Sequence, residues 1–292
     1  MNWTAIEQAI HTATGQGFHI RDRHSVGGGC INDAWQIQGD GQAYFVKVNR
    51  ASGLAMFEAE AAGLQELAEA GVIRVPRPIT AGTSEGQAYL VMEYIPLGGR
   101  SNAALLGEQL AALHRVTREE YGWHRDNTIG STPQINTPGN DWVSFWREHR
   151  LGFQLELAGQ RGIGHGALRK GERLQEGLTG FFSTYQPQAS LLHGDLWGGN
   201  YAADEQGMPV IFDPAVYFGD RETDIAMTEL FGGFGAGFYT AYRQNWPLDS
   251  GYSVRKTLYN LYHILNHFNL FGGGYGMQAE RMIEQLLAEL SA

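Results

Sequence analysis

The chain has 292 residues, 43% of them apolar, and a formal net charge of −10. That length can bury a sizeable core as one large domain or two lobes. The acidic balance, with no stretch that concentrates Lys and Arg, argues against a nucleic-acid partner.

Residues 2–15 are expected to form a short helix ending at Gly15 or Gly17. The start lacks a basic segment followed by an apolar one, so no signal peptide is expected, and no apolar run is long enough to predict a membrane span. His19–Val26 leads into Gly27-Gly28-Gly29. Segments 33–38 and 42–48, separated by Gly39-Asp40-Gly41, read as a β-hairpin. Residues 54–70 have helical spacing, with Phe57, Ala61, Leu64 and Ala68 on one face and Gly71 at the stop. The V-P-R-P run at 75–78 forbids continuation, and 79–82 and 88–95 read as two more strands. After Gly99 the pattern turns helical over 102–118, 141–160, 167–185, 223–231, 236–246, 253–271 and 277–290, with 121–140 as a loop. A strand-rich first third and a helix-rich remainder predict an α+β protein in two lobes, 1–95 and 96–292.

The segment LLHGDLWGGN, 191–200, followed by VIFDPA, 210–215, carries the strongest chemistry. Asn200 lies five positions after Asp195, and Asp213 thirteen after Asn200. Phosphoryl transfer from ATP needs an Asp at the acceptor hydroxyl, and an Asn and a second Asp for the Mg²⁺ that bridges the phosphates. The H-x-D-x-x-x-x-N pattern is present, with Gly194 where protein kinases have Arg. Taken singly, these residues read as turn formers; their order and spacing favour Asp195 as catalytic base and Asn200 and Asp213 as metal ligands.

Lys47 lies mid-strand in FVKV, after a glycine-rich turn and before a helix with Glu58 and Glu60. That is the order for a Lys on the ATP phosphates held by a helix Glu, and Glu60 shares the face of Phe57 and Leu64. Gly27, Gly28, Gly29, Cys30, Ile31 and Asn32 precede it, a run whose backbone N–H groups can approach phosphate closely. It is neither a Walker motif nor the usual GxGxxG. Met92, Glu93, Tyr94 and Ile95 end the strand-rich part, where backbone groups can meet an adenine edge.

These pieces, in this order, resemble the protein-kinase-like phosphotransferases of the aminoglycoside and choline kinase group. The finer resemblance is to the fructosamine kinase family. It rests on HGDLWGGN with Trp197, DPAVYFGDRETDIAMTELFGGF (213–234), FEAEAAGLQEL (57–67), LYNLYHILNHFNLFGGGY (258–275) and TPQINTPGNDWVSFWREHRL (132–151). The resemblance covers nearly the whole chain. It implies a kinase that uses ATP and Mg²⁺ to phosphorylate the 3-hydroxyl of a ketosamine (a ribulosamine or fructosamine), either a small molecule or a glycated protein, and so promotes deglycation. The single thiol and the lack of a signal segment suit a cytoplasmic protein. Another small-alcohol kinase, of the aminoglycoside or choline type, is the first alternative, and a non-catalytic nucleotide-binding protein the second. Asp213-Pro-Ala lacks the movable Phe of Asp-Phe-Gly, which argues against a phosphorylation-switched protein kinase.

Trp197, Tyr217, Asp220 and His267 are the candidate acceptor contacts. Asp224 is expected to cap a helix, and Asp220 to brace the catalytic loop or play a structural part. His193 and His114 read as structural, and the ten histidines show no zinc spacing. The single cysteine, Cys30, excludes an internal disulfide and suits a reducing compartment. The resemblance implies a monomer, or a homodimer redox-linked through Cys30, where any disulfide of a single cysteine must be intermolecular.

Overall fold

In a computed structural model of the protein, residues 1–27 and 32–291 are described; the expectations placed on Gly28, Gly29, Cys30 and Ile31 lie outside the described residues. The elements run α1 (Trp3–Thr14), β1 (Asp22–Val26), β2 (Asp33–Gly39), β3 (Gln42–Arg50), α2 (Leu54–Ala70), β4 (Pro78–Ser84) and β5 (Gln87–Glu93). Then come α3 (Ala103–His114), β6 (Thr117–Arg118), β7 (Asn127–Ile129), β8 (Thr132–Gln134), α4 (Trp142–Trp146), α5 (Phe153–Gln160) and α6 (His165–Gly177). The remainder is β9 (Ala189–Leu192), β10 (Tyr201–Ala203), β11 (Pro209–Ile211), β12 (Tyr217–Gly219), α7 (Glu222–Leu230), α8 (Ala236–Asn245), α9 (Tyr252–Phe271) and α10 (Tyr275–Glu289).

Two compact units result, one of residues 1–102 and 201–214, the other of 103–200 and 215–292. The sequence reading drew one boundary at 95/96. The segment 201–214 joins the first unit because β10 and β11 pair with each other and bridge to Leu97 and Arg74.

The first unit is built on an antiparallel sheet of order β1-β2-β3-β5-β4. Alternation along β3 sends Tyr44, Val46 and Val48 to one face, where they meet Ile6 and Ile10 of α1 with Phe18, Ile37, Tyr89 and Val91. Lys47 therefore points to the other face, towards α2. Asn2 starts α1 by accepting the Ala5 N–H, and Gly15 ends it at φ 70°, closing onto the His11 carbonyl. Along α2 the buried positions are Phe57, Ala59, Gly63, Leu64 and Leu67, so Ala61 and Ala68 sit at the edge of the expected face.

In the second unit α9 is the central helix, with α5, α7 and α10 packed on it. A small sheet of order β12-β9-β6 lies in the same unit. The expected helix 102–118 stops at His114, because Thr117 and Arg118 pair with β9. The expected helix 141–160 contains a π-helical turn, Arg147–Gly152, whose Arg150 is fully buried and reaches the Ile135 carbonyl and Asn136. The expected loop 121–140 holds the β7–β8 hairpin. Among the described residues no helix is long and apolar enough to cross a membrane.

Candidate active site

In the first unit the structure brings together Lys47, Glu60 and Asp213. The Lys47 ammonium lies 2.6 Å from Glu60 Oε1 and 2.6 Å from Asp213 Oδ1. Burial alone would lower the Lys47 pKa, but Asp213 and Glu60 outweigh it and hold the ammonium well above its ordinary range. Burial pushes the Glu60 carboxyl up, against the opposing pull of Lys47. Exposure separates the two acids: the side chain of Glu60 is 11% exposed and that of Asp213 46%. Glu60 thus holds the lysine from inside, while Asp213 faces outward. Asp213 takes a left-handed backbone, φ 56°. Such a conformation costs a non-glycine residue roughly 1–2 kcal/mol, although Asp is among the residues that tolerate it.

In the second unit the buried strand β9 delivers the 193–200 loop. The Asn200 side chain donates to the Asp195 carbonyl at 2.9 Å and to Asp195 Oδ2 at 3.1 Å, and its N–H closes onto the Trp197 carbonyl. The expected base and the expected metal ligand therefore form one tight turn. His193 Nδ1 accepts the Asp195 N–H. The left-handed conformation at residue 194, φ 83°, together with the Ala215 carbonyl 2.0 Å from where a Cβ would stand, requires glycine there.

Asp224 braces this loop and is not the helix cap expected of it. It lies inside α7, and its carboxylate accepts the backbone N–H groups of His193 and Gly194. Its Oδ2 also meets His114 Nε2, while His114 Nδ1 meets the Tyr242 hydroxyl. Arg221 donates to that hydroxyl, so the hydroxyl donates to Nδ1 and Nε2 carries the proton towards Asp224. Burial lowers the His114 pKa and so favours this neutral form. Burial alone would raise the Asp224 pKa, but the hydrogen bonds from His114 and Gly194 hold it below the ordinary range.

Two expected acceptor contacts are enclosed. Asp220 is fully buried and accepts from Tyr185, Tyr259 and the Glu222 N–H. Tyr217 is 3% exposed and lies under the Arg150 guanidinium, 4.1 Å from its ring centre. Neither is presented to an acceptor; the acidic cluster around Arg221 is part of the interior. In the segment expected to meet adenine, Met92 and Ile95 are buried, and the Glu93 carboxylate is taken by Arg74 and the Arg77 N–H. Asn32 accepts from the Asn49 side chain beside β3.

The other two acceptor candidates share an aromatic surface that the sequence did not reveal. Trp197, 40% exposed, meets the edge of Phe231 at 6.3 Å, and Phe231 meets His267 at 5.0 Å. Phe271 and Tyr275 complete the contacts of His267, at 5.7 and 5.1 Å. His267 Nδ1 donates to the His263 carbonyl, which leaves Nε2 as the acceptor in the neutral ring. A faint signal was available: His267 and Phe271 are four apart on one helix, before a glycine run.

Among the described residues no group of three or more His, Cys, Asp or Glu side chains is arranged to hold a metal ion. Mg²⁺ does not require one, since it keeps waters and takes one or two carboxylates together with substrate phosphates. The outward-facing carboxylate of Asp213 and the amide of Asn200 supply hard oxygen donors of the kind it uses.

The model of the fructosamine kinase family matches residues 2–289. A probable ketoamine kinase of Synechocystis sp. is 49% identical, over 98% of this chain and 97% of its own length. A chloroplastic protein-ribulosamine 3-kinase of Arabidopsis thaliana is 46% identical, over 95% of this chain and 86% of its own. A crystal structure of a putative fructosamine-3-kinase from Haemophilus somnus superposes with a TM-score of 0.90 at 31% identity, covering 98% of this chain and 97% of that one. An aminoglycoside phosphotransferase, at 15% identity and a TM-score of 0.62, shares the protein-kinase-like α+β fold and no more. With a match that spans almost every residue and relatives close to half identical throughout, the chain belongs to the fructosamine kinase family.

Proposed function

We propose that the protein transfers the γ-phosphoryl group of ATP to the 3-hydroxyl of a ketosamine, with ribulosamines foremost among the acceptors. The observation that carries this reading is the turn joining Asp195 and Asn200, in a chain that also pairs Lys47 with Glu60 and Asp213. Asp195 accepts the proton of the acceptor hydroxyl, the acceptor oxygen bonds to the γ-phosphorus, and the bond to the β-phosphate oxygen breaks, releasing ADP. Lys47, held by Glu60, meets the ATP phosphates. Asn200 and Asp213 would hold Mg²⁺, which when bound neutralises charge on the phosphate oxygens. The sequence of the glycine run 27–32 assigns it to the phosphates, and the 92–95 segment is assigned to the adenine. Trp197 and His267 receive the acceptor, the indole offering a flat face to the sugar and Nε2 an acceptor for its N–H groups.

Phosphorylation turns a hydroxyl beside the ketosamine carbonyl into a leaving group, so the adduct falls apart and the amine is regenerated. The relatives named for protein-bound ribulosamines support extending the acceptor to glycated lysines. The need for MgATP and the single thiol support a cytoplasmic setting.

The test is ATP consumption with Mg²⁺ against ribulosyl-lysine, fructosyl-lysine, an aminoglycoside and choline, with Asp195→Asn as the blank. Turnover on ketosamines that falls by about 10³-fold or more in Asp195→Asn is the expected result. Turnover confined to the aminoglycoside or choline would discard the substrate and keep the kinase.

A further inference from the structure

Gln134, the last residue of β8, is 1% exposed, and its amide is fixed on three sides. Nε2 donates to Asn127 Oδ1 at 2.8 Å and to the Ala215 carbonyl at 3.1 Å. Oε1 accepts from the Tyr262 hydroxyl at 2.8 Å. Asn127 in turn donates to the Val216 carbonyl at 2.8 Å. Asn127 Oδ1 also accepts from Asn136, and Arg150 donates to Asn136 Oδ1 at 2.7 Å. Two successive carbonyls, of Ala215 and Val216, thus each receive a side-chain amide from the β7–β8 hairpin. The Ala215 N–H donates in the opposite direction, to the His193 carbonyl, at 2.8 Å.

Two residues before Ala215 stands Asp213 with its left-handed backbone. A non-glycine residue keeps such a conformation only where its surroundings over-determine it. Asp213 is tied on one side through its carboxylate to Lys47, and on the other it passes through Pro214, with its locked φ, into the peptide that the hairpin amides grip. Apolar side chains of the same shape would fill the space but would take these amides from two buried backbone carbonyls. What amides add is direction, since each carbonyl is held along one line.

We propose that Gln134, seconded by Asn127, is a positioning residue for phosphoryl transfer: it clamps the 215–216 peptide and thereby sets the backbone from which Asp213 presents its carboxylate. The proposal rests on the assignment of Asp213 to the phosphate and metal side of the reaction.

Gln134→Glu keeps the shape but sets an oxygen against two acceptors, and Gln134→Met removes the polar atoms without adding charge. Tyr262→Phe removes one partner only and is expected to act in the same direction, less strongly. For Gln134→Glu and Gln134→Met, kcat should fall by about tenfold or more with the ATP KM little changed. The Mg²⁺ concentration for half-maximal rate should rise. Hydrogen exchange of the peptide spanning 215–219 should speed up, while β2 and β3 keep their protection. In the wild type MgATP should slow exchange at 215–219, and in Gln134→Met that slowing should be lost.

If both Gln134 variants keep kcat and the Mg²⁺ requirement within about twofold of the wild type, the proposal is overturned, even if Tm drops. A lower Tm alone would mark a structural role. Should the added charge of Gln134→Glu prevent folding, Gln134→Met and Tyr262→Phe decide the matter. Should the wild type act on another alcohol, the same rates are read with that alcohol. Should it act on none, the exchange measurement decides, with equal slowing by MgATP in wild type and Gln134→Met counting against the proposal.

Discussion

Asp224 holds the backbone of Gly194 from below, accepting its N–H on Oδ1 at 2.9 Å. Its other oxygen takes the His193 N–H at 2.8 Å. Replacing Asp224 by Ala strips two buried backbone donors of their acceptor and takes the acceptor from His114 Nε2. The expected cost is about 3–5 kcal/mol in urea unfolding, the range for breaking a buried charged contact. Turnover in the surviving folded fraction should drop by about 10²-fold, because the loop carrying Asp195 loses its support. Unchanged turnover per folded molecule would remove Asp224 from the catalytic argument.

Lys47→Met should lower kcat by roughly 10²–10³-fold, since an ammonium aimed at transferring phosphates is a large electrostatic contribution. It should also change how stability depends on pH. With the ammonium gone, burial raises the Glu60 pKa unopposed by its nearest cation. A raised folded pKa means stability that is present below the unfolded value, about 4.3 for Glu, and lost as pH rises through the folded one. Thermal melts of Lys47→Met should fall with rising pH, and melts of Lys47→Met/Glu60→Gln should not.

The Trp197 indole lies across Gly199, whose Cβ, if present, would stand 2.3 Å from two indole carbons. Gly199→Ala must therefore displace the ring. Both Gly199→Ala and Trp197→Ala should raise the acceptor KM by about tenfold or more and leave the ATP KM nearly unchanged. Equal effects on both constants would place Trp197 outside the acceptor surface.

His263 is buried, and burial, aided by His267, pushes its pKa down to about 3. From about 6.5 downward the unfolded chain takes up a proton that the folded chain refuses, so stability falls with pH by up to about 1.4 kcal/mol per unit. His114 is depressed in the same direction. Urea unfolding of His263→Phe should show a shallower loss than the wild type between pH of about 6 and about 4.

Asp195, Asn200 and Asp213 stood out in the sequence because their order and spacing are those that phosphoryl transfer asks of a chain. Lys47 and Glu60 were readable because strand alternation and helix periodicity each assign a face. The β7–β8 hairpin was not, since strands of three residues show no period. Asp220 was set among the candidate acceptor contacts because sequence gives charge but not partners, and Tyr185 and Tyr259 lie 35 and 39 positions away. Phe231, Phe271 and Tyr275 escaped notice for a related reason: they stand just past α7, at the end of α9 and at the start of α10, and gather on His267 only once these helices are packed.

The short excursion of 201–214 bears on how the protein is made. Synthesis proceeds from the N-terminus, and domains generally fold in that order. Yet the first 102 residues leave the ribosome without Asp204, the second carboxylate of Arg74 after Glu93, and without Asp213, the second carboxylate of Lys47. The nascent sheet must carry a buried ammonium with half its countercharge until residue 214 has emerged. By then the whole of the second unit's first segment, 103–200, has been translated as well. The N-terminal unit is thus the first to be written and cannot be the first to be finished, and a truncated chain ending near residue 102 should be a poorly folded, chaperone-bound species.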